Sequence, residues 1–231
     1  MAGRCLATPS FWSTGRGVPY IHVSNMHKSQ NGASSASQSK IIARTQEAFL
    51  RHGYKAMTMV TLADACGLTR RALYYHFSGK DDAFRAVIRF ENDEALEAGR
   101  QAARAVLNGK RPNALNVISA WTDARYGETR RKLNTSPFAK EINDAAFAIC
   151  ADIMIEYATV SHDELAKLLR LLQQRHLLKL NRSARPEAVA RLLADGARGV
   201  NQTRPPIPNA ILAQRYREIS AAILYGTAER S

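Results

Sequence analysis

Four clusters of helix-breaking residues cut the second half of this chain into lengths that only helices fill: Gly109 to Pro112, Ser136-Pro137, Asn181 to Pro186, and Pro205-Pro206 with Pro208. Between them apolar residues recur three and four apart, the period of a helix with one buried side. A half-buried strand needs strict alternation, and no alternating Val/Ile/Thr run stands between turn residues. The pattern predicts an all-α chain with helices near residues 81–107, 113–127, 137–159, 162–180, 186–203 and 209–226. No internal repeat is present. At 231 residues the chain is long enough to bury a core without disulfides or metal.

The preceding stretch is cut more finely. Ile41, Ile42, Thr45, Ala48 and Phe49 share one face of a helix that starts near Ser39, and Gly53 stops it as a C-terminal cap. Thr58 is a good N-cap for a second helix, whose inner side carries Met59, Leu62, Ala63 and Cys66 and which Gly67 ends. Thr69 opens a third, Arg70 to His76, burying Leu73 and Phe77. After the turn Ser78-Gly79-Lys80, Asp81 and Asp82 place acid at the positive end of a fourth. Two short helices joined by Gly67-Leu68 form a helix-turn-helix pattern. In that arrangement the second helix fits the major groove while the first braces it across the backbone. The exposed face of the second offers Thr69, Arg70, Arg71, Tyr74, Tyr75 and His76. Arginine reads guanine with two hydrogen bonds, and Thr, Tyr and His donate to phosphate oxygens. Helical hairpins are common, so the pattern alone is only moderately specific.

Charge narrows the partners. The net charge is +13, divided as +3 over residues 1–37, +5 over 38–90 and +5 over 91–231, so the helix-turn-helix stretch is the densest in excess charge among the parts that read as folded. Such a balance fits a polyanionic partner or simply a basic, soluble surface. Residues 1–37 are rich in Ser, Gly, Asn and Pro, end in a low-complexity run, and are read as a disordered tail, with a basic arm on DNA as the functional alternative. No run approaches the roughly 18 apolar residues of a membrane span, and the first 25 residues lack the apolar core of a signal peptide. Three well-separated cysteines, Cys5, Cys66 and Cys150, read as reduced thiols in a cytoplasmic protein. Without a CxxC or Cys/His cluster, neither a metal site nor a cofactor is expected. Without a nucleophile elbow or a glycine-rich phosphate loop, no catalytic residues and no enzyme are expected.

The stretch from Gly53-Tyr54 through Thr58, Leu62-Ala63, Gly67-Leu68-Thr69 and Leu73-Tyr74-Tyr75-His76-Phe77 to Lys80-Asp81 resembles the DNA-binding domain of the tetracycline-repressor (TetR) family over about 45 residues. Met57, Arg71 and Gly79 depart from that family's usual residues and obscure which sequence is read. The resemblance implies a tail (1–37), a three-helix helix-turn-helix domain (38–84) and a helical ligand-binding and dimerisation domain (85–231). It implies DNA contacts from Thr58, Thr69, Arg70, Arg71, Tyr74, Tyr75, His76 and Lys80. It further implies a homodimeric repressor on the cytoplasmic nucleoid, released from a palindromic operator in double-stranded DNA by a small molecule of unknown identity, with no membrane partner. Candidates for the ligand pocket are Trp121, Tyr126, Phe147, Met154 and His176, together with Phe138 and Tyr157. Leu192, Leu193, Ala197 and Val200 line one side of the penultimate helix, and Ile211, Leu212, Ile219 and Ile223 the last. The resemblance implies that these two helices pair with their mates in a four-helix bundle. Two other readings stay open: a small-molecule-binding or catalytic helical protein with a vestigial helix-turn-helix, and a DNA-binding protein of low sequence specificity.

Overall fold

The structure, a computed structural model, describes residues 32–227. Contacts divide the chain into two units, residues 1–38 and 39–231. Of the first, only residues 32–38 are described, as the opening of a helix; the second holds the folded core. Among the described residues the chain is helical without a strand: α1 (Gly32–His52), α2 (Met59–Cys66), α3 (Arg70–His76), α4 (Lys80–Leu107), α5 (Ala114–Thr122), a π-helical turn (Asp123–Gly127), α6 (Glu128–Asn134), α7 (Ala139–Ile149), α8 (Ala151–Gln174), α9 (Pro186–Asn201) and α10 (Asn209–Thr227).

The first three helices follow local chemistry. Ile41, Thr45, Ala48 and Phe49 are buried on one side of α1, and Gly53 ends it with a left-handed φ of 77°. Of the expected tail, residues 1–31 lie outside the described residues, while 32–37 belong to α1. Ala and Ser in that run are compatible with a helix. The long α4 starts at Lys80 with Asp81 and Asp82 in its first turn, and the Asp82 carboxylate accepts the Ser78 N–H at 2.8 Å. Because α4 runs unbroken to Leu107, the boundary drawn at 84/85 falls inside one rigid rod shared by both proposed domains.

Two expected breaks moved. The segment expected over 113–127 continues through the π turn into α6 and ends at Asn134. The expected separation near residues 160–161 is absent, since α8 is continuous from Ala151 to Gln174; Ser161 stays helical by donating its hydroxyl back to the Tyr157 carbonyl at 2.7 Å. The interruption lies at Cys150 instead, and its cause is remote in sequence. Arg85 of α4 donates to the Ile149 carbonyl at 2.7 Å and to both Asp152 carboxylate oxygens at 2.8 and 2.5 Å. One guanidinium thus satisfies the end of α7 and the acid in the first turn of α8, so the chain can turn at Cys150 without leaving that carbonyl orphaned. Cys66 and Cys150 are both buried free thiols, and Cys5 lies outside the described residues. No described helix is long and apolar enough to cross a membrane.

Candidate nucleic-acid interface and internal cavity

The turn between α2 and α3 is a Schellman motif. Leu68 N–H reaches back to the Ala63 carbonyl at 2.9 Å and Gly67 N–H to the Asp64 carbonyl at 3.1 Å, with Gly67 at φ 65°. A side chain at Gly67 would be strained by that φ alone. The other end of α2 carries a reciprocal cap: Thr58 Oγ1 accepts the Thr61 N–H at 3.2 Å while Thr61 Oγ1 accepts the Thr58 N–H at 2.9 Å. Thr69 caps α3 by accepting the Ala72 N–H at 3.2 Å. The Thr69 hydroxyl keeps its own proton for an outside acceptor, while Thr58 Oγ1 also lies 3.2 Å from Thr61 Oγ1. Leu62, Leu73 and Phe77 are buried beneath the turn, and Arg44 of α1 closes α2 by donating to the Cys66 carbonyl at 2.7 Å.

With that interior filled, α3 turns its polar side outward. Thr58, Thr69, Arg70, Arg71, Tyr74 and Tyr75 are exposed, Tyr75 at 89%, and His76 is half-buried at the end of the helix. The Arg70 guanidinium sits 5.6 Å from the Tyr74 ring centre, which orients both side chains. Lys80 stands differently from the others. Its ammonium donates to the Tyr54 carbonyl at 3.2 Å and lies 4.3 Å from the Tyr54 ring centre, tying the α1–α2 loop to the start of α4. The Tyr54 hydroxyl donates to Asp81, and burial followed by that carboxylate raises the phenol's pKa. Two of the three ammonium protons of Lys80 remain for another acceptor.

Behind this unit lies a cavity of about 410 Å3. Phe49 and Leu50 of α1 form part of its wall, with Phe84, Val87 and Ile88 of α4, Ile142, Ala146 and Phe147 of α7, and Met154 of α8. Its polar wall comes from Glu91 and Asn92 of α4, Arg125 and Tyr126 of the π turn, Arg130 of α6 and Arg198 of α9. The volume is in the range that holds a drug-sized ligand. The chain around it is cross-braced: Ser136 Oγ donates to the Leu50 carbonyl at 2.6 Å, and the Glu141 carboxylate accepts the Lys55 N–H at 2.6 Å.

Of the pocket residues expected from the sequence, Tyr126, Phe147 and Met154 line this cavity. Trp121 does not; it is fully buried in the core, edge-on to Tyr126 with ring centres 6.0 Å apart. Tyr157 is buried with its hydroxyl donating to Asp93 at 2.6 Å, and Phe138 packs against Gly53. His176 does not line this cavity. It is exposed just past α8 at φ 56°, the left-handed position of a second Schellman motif in which Leu177 N–H meets the Leu172 carbonyl at 2.9 Å. The sequence missed Arg125 and Asn92, because an arginine or asparagine in a helix reads as solvent-facing. No signal in the sequence announces the π turn that buries Arg125, Tyr126 and Gly127 in succession.

The expected dimer set also divides. Leu193, Ala197 and Leu212 are packed in the chain's own core and offer nothing to a partner, because α9 lies on α8 and α10 on α5. Ile219 and Ile223 cover Gly196, where a methyl group would meet Ile219 at 2.9 Å, so they join α9 to α10 within the chain. Leu192 and Ile211 are exposed, at 51% and 40%, and Val200 is half-buried.

Residues 41–87 match the family model described as bacterial regulatory proteins of the tetR family. That match covers the helix-turn-helix and the start of α4, and over it the chain is similar to tetR-family regulators. Over 88 residues it is 31% identical to the HTH-type transcriptional repressor BepR of Brucella suis biovar 1 (strain 1330), covering 37% of this chain and 39% of that protein. Over 71 residues it is 31% identical to the HTH-type transcriptional activator FasR of Mycolicibacterium smegmatis, covering 31% and 32%. The matches thus span a third to two fifths of these curated relatives. The fold extends much further than the sequence match. A TetR transcription regulator from Haloarcula marismortui superposes with a TM-score of 0.63 at 16% identity, over 84% of this chain and all of that one. The likeness places α4–α10 in the same fold as that TetR-family structure.

Proposed function

We propose that the chain is a transcription regulator that binds double-stranded DNA through α3 as a homodimer, and that a small molecule in the cavity controls that binding. The observation that carries the reading is the outward face of α3. Thr69, Arg70, Arg71, Tyr74 and Tyr75 stand exposed on a helix held by the Schellman turn, with donors for bases and phosphates and no buried role in the chain. His76 lies at the edge of this face and Thr58 at the start of α2, where a capped helix end favours a phosphate. Lys80 adds a backbone contact while it braces Tyr54.

The cavity supplies the control. A ligand there touches Phe49 and Leu50 of α1 and Phe84 and Val87 of α4 directly, so its binding energy bears on the angle at which the helix-turn-helix is held. Repression relieved by the ligand is the simplest outcome, because widening the cavity separates two recognition helices set for one operator spacing. For the dimer, Ala188, Leu192 and Gly199 follow one exposed line of α9, and Ile211 and Ala222 one exposed line of α10. Small residues on both lines let helices of two copies approach closely. A non-catalytic, cytoplasmic role follows from this reading.

Selection of bound sequences from random DNA tests it. Palindromic sites are expected, with Arg70→Ala costing about 1–3 kcal/mol on the selected site and Lys80→Ala weakening all sequences alike with a flatter salt dependence. Leu192→Glu with Ile211→Glu is expected to give a folded monomer by sedimentation that no longer binds the palindrome. Enrichment of no sequence at all would favour a DNA-binding protein of low specificity.

A further inference from the structure

Arg125 is 6% exposed, yet no carboxylate pairs with it among the described residues. Its Nε donates to Ser161 Oγ at 3.2 Å and its Nη2 to Asn92 Oδ1 at 2.9 Å, both neutral, and Nη1 makes no hydrogen bond. Burial lowers its pKa, Tyr126 and Tyr157 act in the opposite direction, and the Arg198 charge lowers it further. Arg130, on the same wall, is likewise lowered by burial. The one carboxylate on the cavity wall, Glu91, is already engaged by Lys132 at 3.1 Å. Beside Arg125, the buried Tyr126 hydroxyl has no hydrogen-bond partner.

The guanidinium also lies 4.9 Å from the centre of the Tyr126 ring, so everything that holds it is neutral. A buried guanidinium without a counter-charge is costly to keep, and a chain retains it where an anion completes the site. The π turn makes the arrangement. It widens the helix so that Arg125 and Tyr126, adjacent in sequence, both line the cavity, and such turns recur at functional sites. Gly99 of α4 lets that face close, since a methyl group there would lie 3.4 Å from Arg125 Cβ and 3.2 Å from the Trp121 indole nitrogen.

We propose that the cavity binds an anionic amphipathic molecule whose carboxylate, or an equivalent oxyanion, sits on the Arg125 guanidinium and the Tyr126 hydroxyl while its apolar body lies against Phe49, Phe84, Val87 and Phe147. This rests on the reading of the cavity as the effector site and assigns the chemical class of the effector. The planar guanidinium fork matches a carboxylate with parallel, charge-assisted hydrogen bonds, whereas a hydroxyl accepts with one neutral oxygen and an ammonium accepts none.

Titration calorimetry of the full-length protein with three probes of equal chain length, decanoate, 1-decanol and decylamine, tests the assignment. Decanoate is expected to bind at least tenfold more tightly than 1-decanol, with decylamine weakest. Arg125→Met is expected to reduce decanoate to the level of 1-decanol, leave 1-decanol unchanged and melt no lower than the parent, because it removes an unpaired buried charge and keeps an unbranched apolar stem in its place. Tyr126→Phe keeps the ring and is expected to weaken decanoate several-fold without touching 1-decanol, which preserves the test should the Met variant not fold. Equal binding of decanoate and 1-decanol, or an undiminished preference for decanoate in both variants, would overturn the assignment and leave the regulator reading intact. Binding of none of the three would also overturn it. The DNA selection described above uses no probe, so the regulator reading fails or stands on its own result.

Discussion

Between Ser37 and Phe84 the one buried polar side chain is Thr45, and its hydroxyl is spent on the Ile41 carbonyl at 2.9 Å within its own helix. From α4 onward the buried set includes Glu91, Ser119, Thr122, Arg125, Ser136, Ser161, Glu164 and Ser220. The difference follows from what each region has to hold. The helix-turn-helix keeps its chemistry outside, on α3, and needs only a dry interior that fixes the angle of one short helix. The bundle keeps its chemistry inside, around the cavity, so polar groups must be buried and some of them, Arg125 and the Tyr126 hydroxyl above all, lack full partners within the chain. Loss of a buried group should therefore be costly in the first region and tolerated at the cavity wall of the second.

Leu73→Ala gives the largest expected effect. Leu73 is fully buried and anchors α3, so truncation should cost about 2–5 kcal/mol in urea denaturation and abolish operator binding. Arg125→Met, of comparable burial, should cost nothing. Similar losses in both would break the contrast between a dry unit and one kept for a ligand.

Glycine substitutions sharpen it at a smaller scale. A methyl group at Gly127 would lie 2.5 Å from Asp123 Oδ1, an oxygen that Arg131 holds at 2.5 Å, and 3.1 Å from the Tyr216 ring. Gly127→Ala should therefore cost about 1–3 kcal/mol, disturb the π turn and erase the preference for decanoate. Gly79 has extended backbone and nothing within 4 Å of an added methyl group, so Gly79→Ala should leave melting unchanged. Thermal melts of the two variants side by side measure the difference.

The smallest effect is one of pH. The hydrogen bonds from Arg85 hold the exposed Asp152 carboxyl at about 2. A carboxyl depressed in the folded state stabilises the fold fully above its unfolded value of about 3.9, and that contribution disappears as pH falls towards about 2. Arg85→Ala should lose it already at neutral pH and show a shallower decline between about pH 4 and 2. Urea midpoints across that range, with unchanged acid limbs in parent and variant, would mean that Arg85 braces the α7–α8 junction through the Ile149 carbonyl alone.

How much of this was legible in the sequence depends on how far each determinant lies from the residue it controls. Thr58, Gly67 and Thr69 act on backbone groups within five residues, so their roles as caps, and with them the limits of α2 and α3, follow from residue type and order. The buried sides of those helices follow as well, since Met59, Leu62, Ala63 and Cys66 were all on the expected face and all are buried. The ends of α9 and α10 were also foretold, because Pro186 and the prolines around 205–208 are local stops.

Tertiary structure alone decided the rest. The break at Cys150 depends on Arg85, 64 residues from the carbonyl it satisfies. Leu193 and Leu212 read as an interface because periodicity gives an apolar face without saying what covers it, and the chain covers both itself. His176 reads as an aromatic for a pocket, but a helix end needed a left-handed residue there. Arg125 is the clearest case. Its charge predicts solvent, and it is the π turn, the close approach at Gly99 and the neutral partners Asn92 and Ser161 that bring it inward. A residue's type sets what it costs to bury; only the packing of distant helices determines whether that cost is met and by which groups.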